Sequence, residues 1–327
     1  MKKILLFILP LIIVLSVTLC SSAMSRDGQN DEDGAGSSDV YVLSQTKSVK
    51  IPDKVSFAGE NIDLDRYDMH ERFDREINSF TYFHSTTLLL IKRANRYFPI
   101  IEPILKKNNI PDDFKYLAVI ESSLDPRAFS PSRAAGMWQF LATTGKEYGL
   151  MVGPEVDERY HVEKATEAAC RYLRTAYNKY GSWASVALSY NGGQARISGE
   201  LNKQQAEEGL DLWLVEETAR YYFRMVAIKQ IFEQPAKYGF VISGDQLYKP
   251  ITFEEVTVNQ TITDLAAFAV EKGITYAQLK DFNSWLRDRK LTIAGGKTYT
   301  IQIPTQKSLY YSKEKPKVHN QDWIVKD

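Results

Sequence analysis

The sequence predicts a mainly α-helical domain followed by a small α+β unit, and three observations carry that reading. From about Asp65 to Phe232 apolar residues recur at three- and four-residue steps, the period of amphipathic helices. After Pro235 the pattern changes: residues 251–258 and 297–303 are partly alternating and rich in β-branched side chains, with two short helical stretches between them. With 327 residues, 44% of them hydrophobic, the chain can bury a full core and has room for one large domain and one small one.

Lys2 and Lys3 precede an apolar run from Ile4 to Leu19, then Ser21, Ser22 and Ala23, the layout of an export signal cut after Ala23. The alternative is a lipid anchor on Cys20, against which stands the bulky Leu19 before it. The run falls short of the roughly 20 residues of a membrane span and contains Pro10. Residues 24–50, rich in Gly, Ser, Asp and Asn, have the composition of a flexible linker. The expectation is therefore an exported protein of the periplasm or cell envelope, membrane-associated if Cys20 is lipidated.

The folded region is expected over residues 51–240. Met69, Phe73, Ile77 and Phe80, then Leu88, Ile91, Ala94, Phe98, Ile101 and Leu105, fit two or three helices. Asn108 and Asn109 stop one helix, and Pro111-Asp112-Asp113 starts the next with acids in its first turn. That helix, Phe114 to Glu121, delivers a carboxylate at its end, and Asp125-Pro126 turns the backbone out of helix. Gly136-Met137-Trp138-Gln139-Phe140 follows, with a glycine that permits close backbone approach and an amide set between large apolar side chains. Trp138 and Phe140 are expected in the core. A short helix over 142–150, a strong one from Lys164 to Tyr180 ended by Gly181, and another from Trp183 to Tyr190 come next. Residues 198–210 read as a polar surface turn or lid, and Leu212 to Phe232 as a helix.

In the C-terminal unit, residues 250–305, helices over 263–271 and 275–282 are each expected to carry a Thr N-cap, giving a βααβ order. Residues 306–327 read as a charged tail.

Lys+Arg equals Asp+Glu at 41 each, so no basic field favours nucleic acid. His70, His84, His161 and His319 lack ligand spacing, and neither a metal nor another cofactor is expected. Once Cys20 leaves with the signal, Cys170 stands alone and reads as a small buried hydrophobe.

Glu121-Ser122, Gly136 to Phe140, Tyr190-Asn191-Gly192-Gly193 and Glu217-Thr218 with Tyr221, in that order, resemble the lytic transglycosylases of goose-type lysozyme fold, nearest the membrane-bound murein transglycosylase D group. Ala128 with Ser130, and Thr144-Gly145 with Tyr148-Gly149-Leu150, extend the likeness, which covers roughly residues 65–235. Leu279 with Asn283, and Gly296 ahead of Ile301 and Ile303-Pro304, look like a LysM module, although Asn259-Gln260-Thr261-Ile262 replaces its usual Gly-Asp-Thr-Leu.

The resemblance implies a lysozyme-like catalytic domain and a LysM-like glycan-binding module acting on peptidoglycan strands. It implies cleavage of the β-1,4 bond between N-acetylmuramic acid and N-acetylglucosamine, with 1,6-anhydromuramic ends and Glu121 as the single acid and base. By the same resemblance Ser122 would orient Glu121, Gln139 and Tyr190-Asn191 would hold the N-acetyl and hydroxyl groups, and Tyr221 would support developing charge. A second carboxylate, which ordinary glycosidases need, is not evident, since Asp125 suits a turn. Two other readings stay open: a goose-lysozyme-type muramidase, and a non-catalytic peptidoglycan-binding or scaffold protein.

Overall fold

The structure, a computed structural model, describes residues 46–325. The expected leader 1–23, with Cys20, and residues 24–45 of the expected linker lie outside the described residues.

An unexpected hairpin opens the fold. Lys54–Phe57 (β1) pairs antiparallel with Glu60–Asp63 (β2) across Ala58 and Gly59, at φ 54° and 83°. Two left-handed residues are what a tight hairpin turn requires. Four-residue strands are too short to register as alternation. Phe57 is nonetheless fully buried, edge-on to Phe114 at 5.6 Å and Tyr222 at 5.5 Å.

The helices follow the apolar period: Tyr67–Tyr82 (α1), His84–Lys107 (α2), Lys115–Ser122 (α3), Ala142–Glu147 (α4), Val162–Tyr180 (α5) and Trp183–Gly192 (α6). Next comes Gln194–Gln204 (α7), which corrects the expected polar turn over 198–210. Ile197 is buried and Leu201, one turn on, packs against the core, so one narrow stripe holds a helix whose other faces are polar. Glu216–Glu233 (α8) is the hub. Its buried residues, from Thr218 and Tyr221 to Ile231 and Phe232, lie all round the helix, and α1, α3 and α6 pack about it.

The C-terminal unit is βααβ: Phe253–Val258 (β3), Leu265–Glu271 (α9), Tyr276–Phe282 (α10) and Tyr299–Pro304 (β4). The strands pair antiparallel from Phe253↔Pro304 to Val258↔Tyr299. Thr275 caps α10 in a reciprocal box with Gln278. The cap of α9 is Asp264 and not Thr263: its carboxylate accepts from the backbone of Ala266 and Ala267.

The expected charged tail is part of the helical domain. Asn95, fully buried on α2, donates to the carbonyls of Tyr248 (3.1 Å) and Lys317 (3.0 Å) and accepts from His319 N (2.8 Å). Trp323 is 3% exposed, packs on Phe98 and Phe232, and donates its indole N–H to Phe232 O at 2.9 Å. One tryptophan in a lysine-rich stretch leaves no periodic trace. Trp323→Ala should cost about 3 kcal/mol, read as a lower urea midpoint of the full chain at unchanged m-value.

Candidate active site

Helix α3 is short and almost wholly buried, with Tyr116, Leu117, Ala118 and Val119 in the core. Its end is set by two consecutive left-handed residues, Ser123 and Leu124, both at φ 55°, before the chain reaches Asp125-Pro126. Burial of the Leu124 side chain holds that costly backbone in place. Asp125 forms the turn expected of it, accepting from Arg127 N at 2.9 Å.

Glu121 thus lies in the last turn of a helix, where the negative end of the dipole disfavours a carboxylate. Burial lifts its carboxyl from the ordinary 4.5 to about 7, the nearby charge of Glu217 adding to the shift while the Tyr221 hydroxyl and the Arg224 charge oppose it. The Tyr221 hydroxyl donates to Glu121 Oε1. Near neutral pH the group therefore exists in both protonation states.

Helix α8 presents Glu217, Tyr221 and Arg224 at steps of four and three, hence on one face. Glu217 is exposed, and its Oε1 lies 3.4 Å from Asn191 Nδ2. Asn191 Oδ1 accepts from the Thr218 hydroxyl at 2.7 Å. The amide at the end of α6 is oriented by α8, the helix that carries Tyr221.

The loop 133–140 forms the expected wall of the candidate site. Gly136, at φ 78°, lies so close to Arg159 that a Cβ would come within 1.8 Å of the Arg159 carbonyl oxygen. Gln139 is itself left-handed at φ 48°, and its Nε2 donates to Gly136 O (2.8 Å) and Ala128 O (3.2 Å). Both amide protons are engaged within the loop, which leaves Oε1 as an acceptor. Trp138 is fully buried, its indole donating to Thr166 at 2.9 Å, and Phe140 is buried beside it. The Tyr190 hydroxyl donates to Trp138 O at 2.7 Å.

Glu121, Tyr221, Gln139, Tyr190 and Asn191 all belong to these connected elements. Ser122 does not take the expected role. Its hydroxyl turns back to Ala118 O (3.1 Å) and the Met137 sulfur (3.6 Å), because adjacent helical residues point to different faces. Arg224 and Arg159 went unread; the step of three from Tyr221 could have found Arg224. Cys170 is fully buried, and burial pushes its thiol up to about 12, so it is no nucleophile. Among the described residues no cluster of His, Cys, Asp and Glu could hold a metal ion, and no helix is long and apolar enough to cross a membrane.

Helices gathered round a carboxyl at a helix end, with a βααβ unit after them, define a mainly α domain with a small α+β domain appended. Residues 98–212 match the transglycosylase SLT domain, and residues 254–307 match the soluble lytic transglycosylase C-terminal LysM-like domain. The chain therefore carries a transglycosylase SLT domain and, after it, a LysM-like domain of the soluble lytic transglycosylase C-terminal type.

It is 28% identical over 232 residues to the membrane-bound lytic murein transglycosylase D of Escherichia coli K12, covering 69% of this chain and 50% of that protein. It is 34% identical over 116 residues to the peptidoglycan transglycosylase gp16 of Escherichia phage T7, covering 35% of this chain and 9% of that one. The chain spans about half the length of the first relative. The 70 kDa soluble lytic transglycosylase of Escherichia coli aligns over 42% of this chain and 24% of its own, at 19% identity and a TM-score of 0.38.

A carboxyl raised from 4.5 to about 7 supports the fold fully below the lower value and loses that support as pH rises through the upper one. Glu121→Gln removes this titration. Relative to wild type it should change stability little at about pH 4 and gain on the order of 3 kcal/mol by about pH 8, measured by urea unfolding at both.

Proposed function

We propose that the chain is a peptidoglycan lytic transglycosylase that cleaves the β-1,4 bond between N-acetylmuramic acid and N-acetylglucosamine, with Glu121 as its single acid and base. The observation that carries this reading is a carboxyl poised at about 7 in contact with a tyrosine hydroxyl, on a domain matched to the transglycosylase SLT domain.

Glu121 gives its proton to the glycosidic oxygen as the bond from that oxygen to the muramic C1 breaks, with the N-acetyl group of the muramic residue assisting. The resulting carboxylate then takes the proton of the muramic C6 hydroxyl while that oxygen closes on C1. The product is a 1,6-anhydro sugar, no water is consumed, and Glu121 regains its proton. Tyr221, donating to Glu121 Oε1, steadies the carboxylate in the second half of the cycle. Gln139 Oε1 can accept only from a donor, which the N-acetyl N–H supplies, and Asn191 faces the hydroxyls. Export by residues 1–23, or a lipid on Cys20, would deliver the enzyme to its substrate in the envelope.

Mass spectrometry of muropeptides released from purified peptidoglycan by residues 24–327 tests the reading. Anhydromuropeptides are expected from wild type, with Glu121→Gln at least about 1,000-fold slower and Tyr221→Phe slowed about 10- to 100-fold. Reducing-end products would instead make the protein a muramidase and point to Glu217, the carboxylate beside Asn191, as water-activating base. Peptidoglycan pull-down without any product would make it a scaffold. Because the first step needs protonated Glu121, kcat/KM should fall about tenfold per pH unit above about 7.

A further inference from the structure

We infer that the βααβ module is a brace for the active-site wall and that Arg159 is the positioning residue through which it acts, an inference that rests on the activity proposed above. The module does not close a core of its own. Leu265, Leu279, Leu286 and Ile301 share one apolar cluster with Ala135, Val156 and Tyr160 of the helical domain. Within the described residues, helices and module accordingly fall in a single compact unit that begins at Lys47.

The seam is also hydrogen-bonded along the main chain. Asp157 N donates to Trp285 O (3.0 Å), Arg287 N to Glu155 O (2.8 Å) and Thr292 N to the Glu155 carboxylate (2.8 Å). Arg287 lies 4.0 Å above the Tyr160 ring. Trp285, the module's one tryptophan, is buried and stacks on His161 across the seam and on the module's own Tyr299, with centroids at 5.8 and 5.7 Å, so it is not open to a sugar.

From the seam the order runs inward. The Asp157 carboxylate grips the Arg159 guanidinium, with Oδ2 2.7 Å from Nη2 and Oδ1 3.0 Å from Nε, and both residues are buried. Arg159 Nη1 donates to Arg133 O (2.9 Å) and Phe140 O (3.0 Å), the two ends of the wall loop. Arg133 at one end and Gln139, next to the other, are left-handed, at φ 64° and 48°. Such backbone persists only where its surroundings over-determine it. A planar guanidinium can join a carboxylate and two carbonyls in one fixed geometry, which a lysine ammonium cannot. Module docking thus fixes residues 155–159, Arg159 fixes the loop, and the loop fixes Gln139 and the carbonyl that anchors Tyr190.

Two full-length variants test this: Arg159→Lys, which keeps the charge and loses the fork, and Glu155→Ala with Arg287→Ala, which loosens the seam at its surface. Arg159→Lys should lower kcat for anhydromuropeptide release about tenfold or more with KM within about twofold. In both variants backbone hydrogen exchange over 133–140 should quicken at least about fivefold while α8 keeps its protection. Unchanged exchange over 133–140 in both would overturn the brace whatever the activity, and so would a raised KM at unchanged kcat, the mark of a module that only binds glycan. Wild type that yields no anhydromuropeptides would defeat the proposed function instead, and the exchange measurement would still decide the brace.

Discussion

The Tyr221 hydroxyl meets the Glu121 carboxyl across 100 residues of sequence, and the rest of the helical domain holds those two groups together. Helix α8 is joined to the α3 region at a second point, where Lys229 Nζ donates to Asp113 Oδ2 at 2.8 Å. Asp113 precedes Glu121 by eight residues, and Lys229 follows Tyr221 by eight. The two segments therefore run antiparallel, clamped at one end by an ion pair and at the other by the acid and its donor. Lys229 also reaches Ser56 O on the entry hairpin (2.9 Å), and Phe57 packs on Tyr222, so β1 closes the clamped end. With one end fixed, the far end of α3 cannot slide along α8. A carboxyl that must stay partly protonated near neutral pH depends on that register, since withdrawal from Tyr221 would let water in and return it toward the ordinary range.

Much of this was legible because burial writes a period into sequence. The apolar run ahead of Glu121, the glycine ends and the alternating C-terminal strands all follow from which faces meet the core. The candidate site was legible as short motifs whose polar residues had no packing reason to be there. What failed to show has physical reasons too. The resemblance implies that Ser122 orients Glu121, but neighbours on a helix diverge by about 100°, and its hydroxyl serves the Ala118 carbonyl. Arg159 acts on backbone carbonyls, which carry no residue identity, so no spacing rule reveals it. Trp323 closes the core as the one buried side chain of residues 309–325, with only Val318 and Ile324 packed partly beside it, and the β1–β2 hairpin is set by a two-residue turn instead of a repeat.

Under the proposed function the wall loop can be selective with few polar residues. Each spends part of its hydrogen-bonding capacity on neighbouring residues of the protein. Gln139 uses both amide protons on Gly136 and Ala128, and Tyr190 uses its proton on Trp138. Asn191 has Glu217 on its amide nitrogen and Thr218 on its oxygen. What these groups leave open is mostly acceptor: Gln139 Oε1 and the second lone pair of the Tyr190 hydroxyl. Under the proposed function such a wall favours N–H and O–H groups of an acetamido sugar and offers little to a bare carbonyl. Rotating the Gln139 amide would take one donor from each of the Gly136 and Ala128 carbonyls, leaving them the backbone N–H of Gln139 (3.2 Å) and of Gly136 (2.8 Å), and would exchange the free acceptor for a donor, so under the proposed function substrate preference and loop conformation are held by the same bonds. Under the proposed function a site built this way would gain its selectivity from rigidity, and that would make the Arg159 contacts to both ends of the loop as consequential as the groups that would meet the sugar.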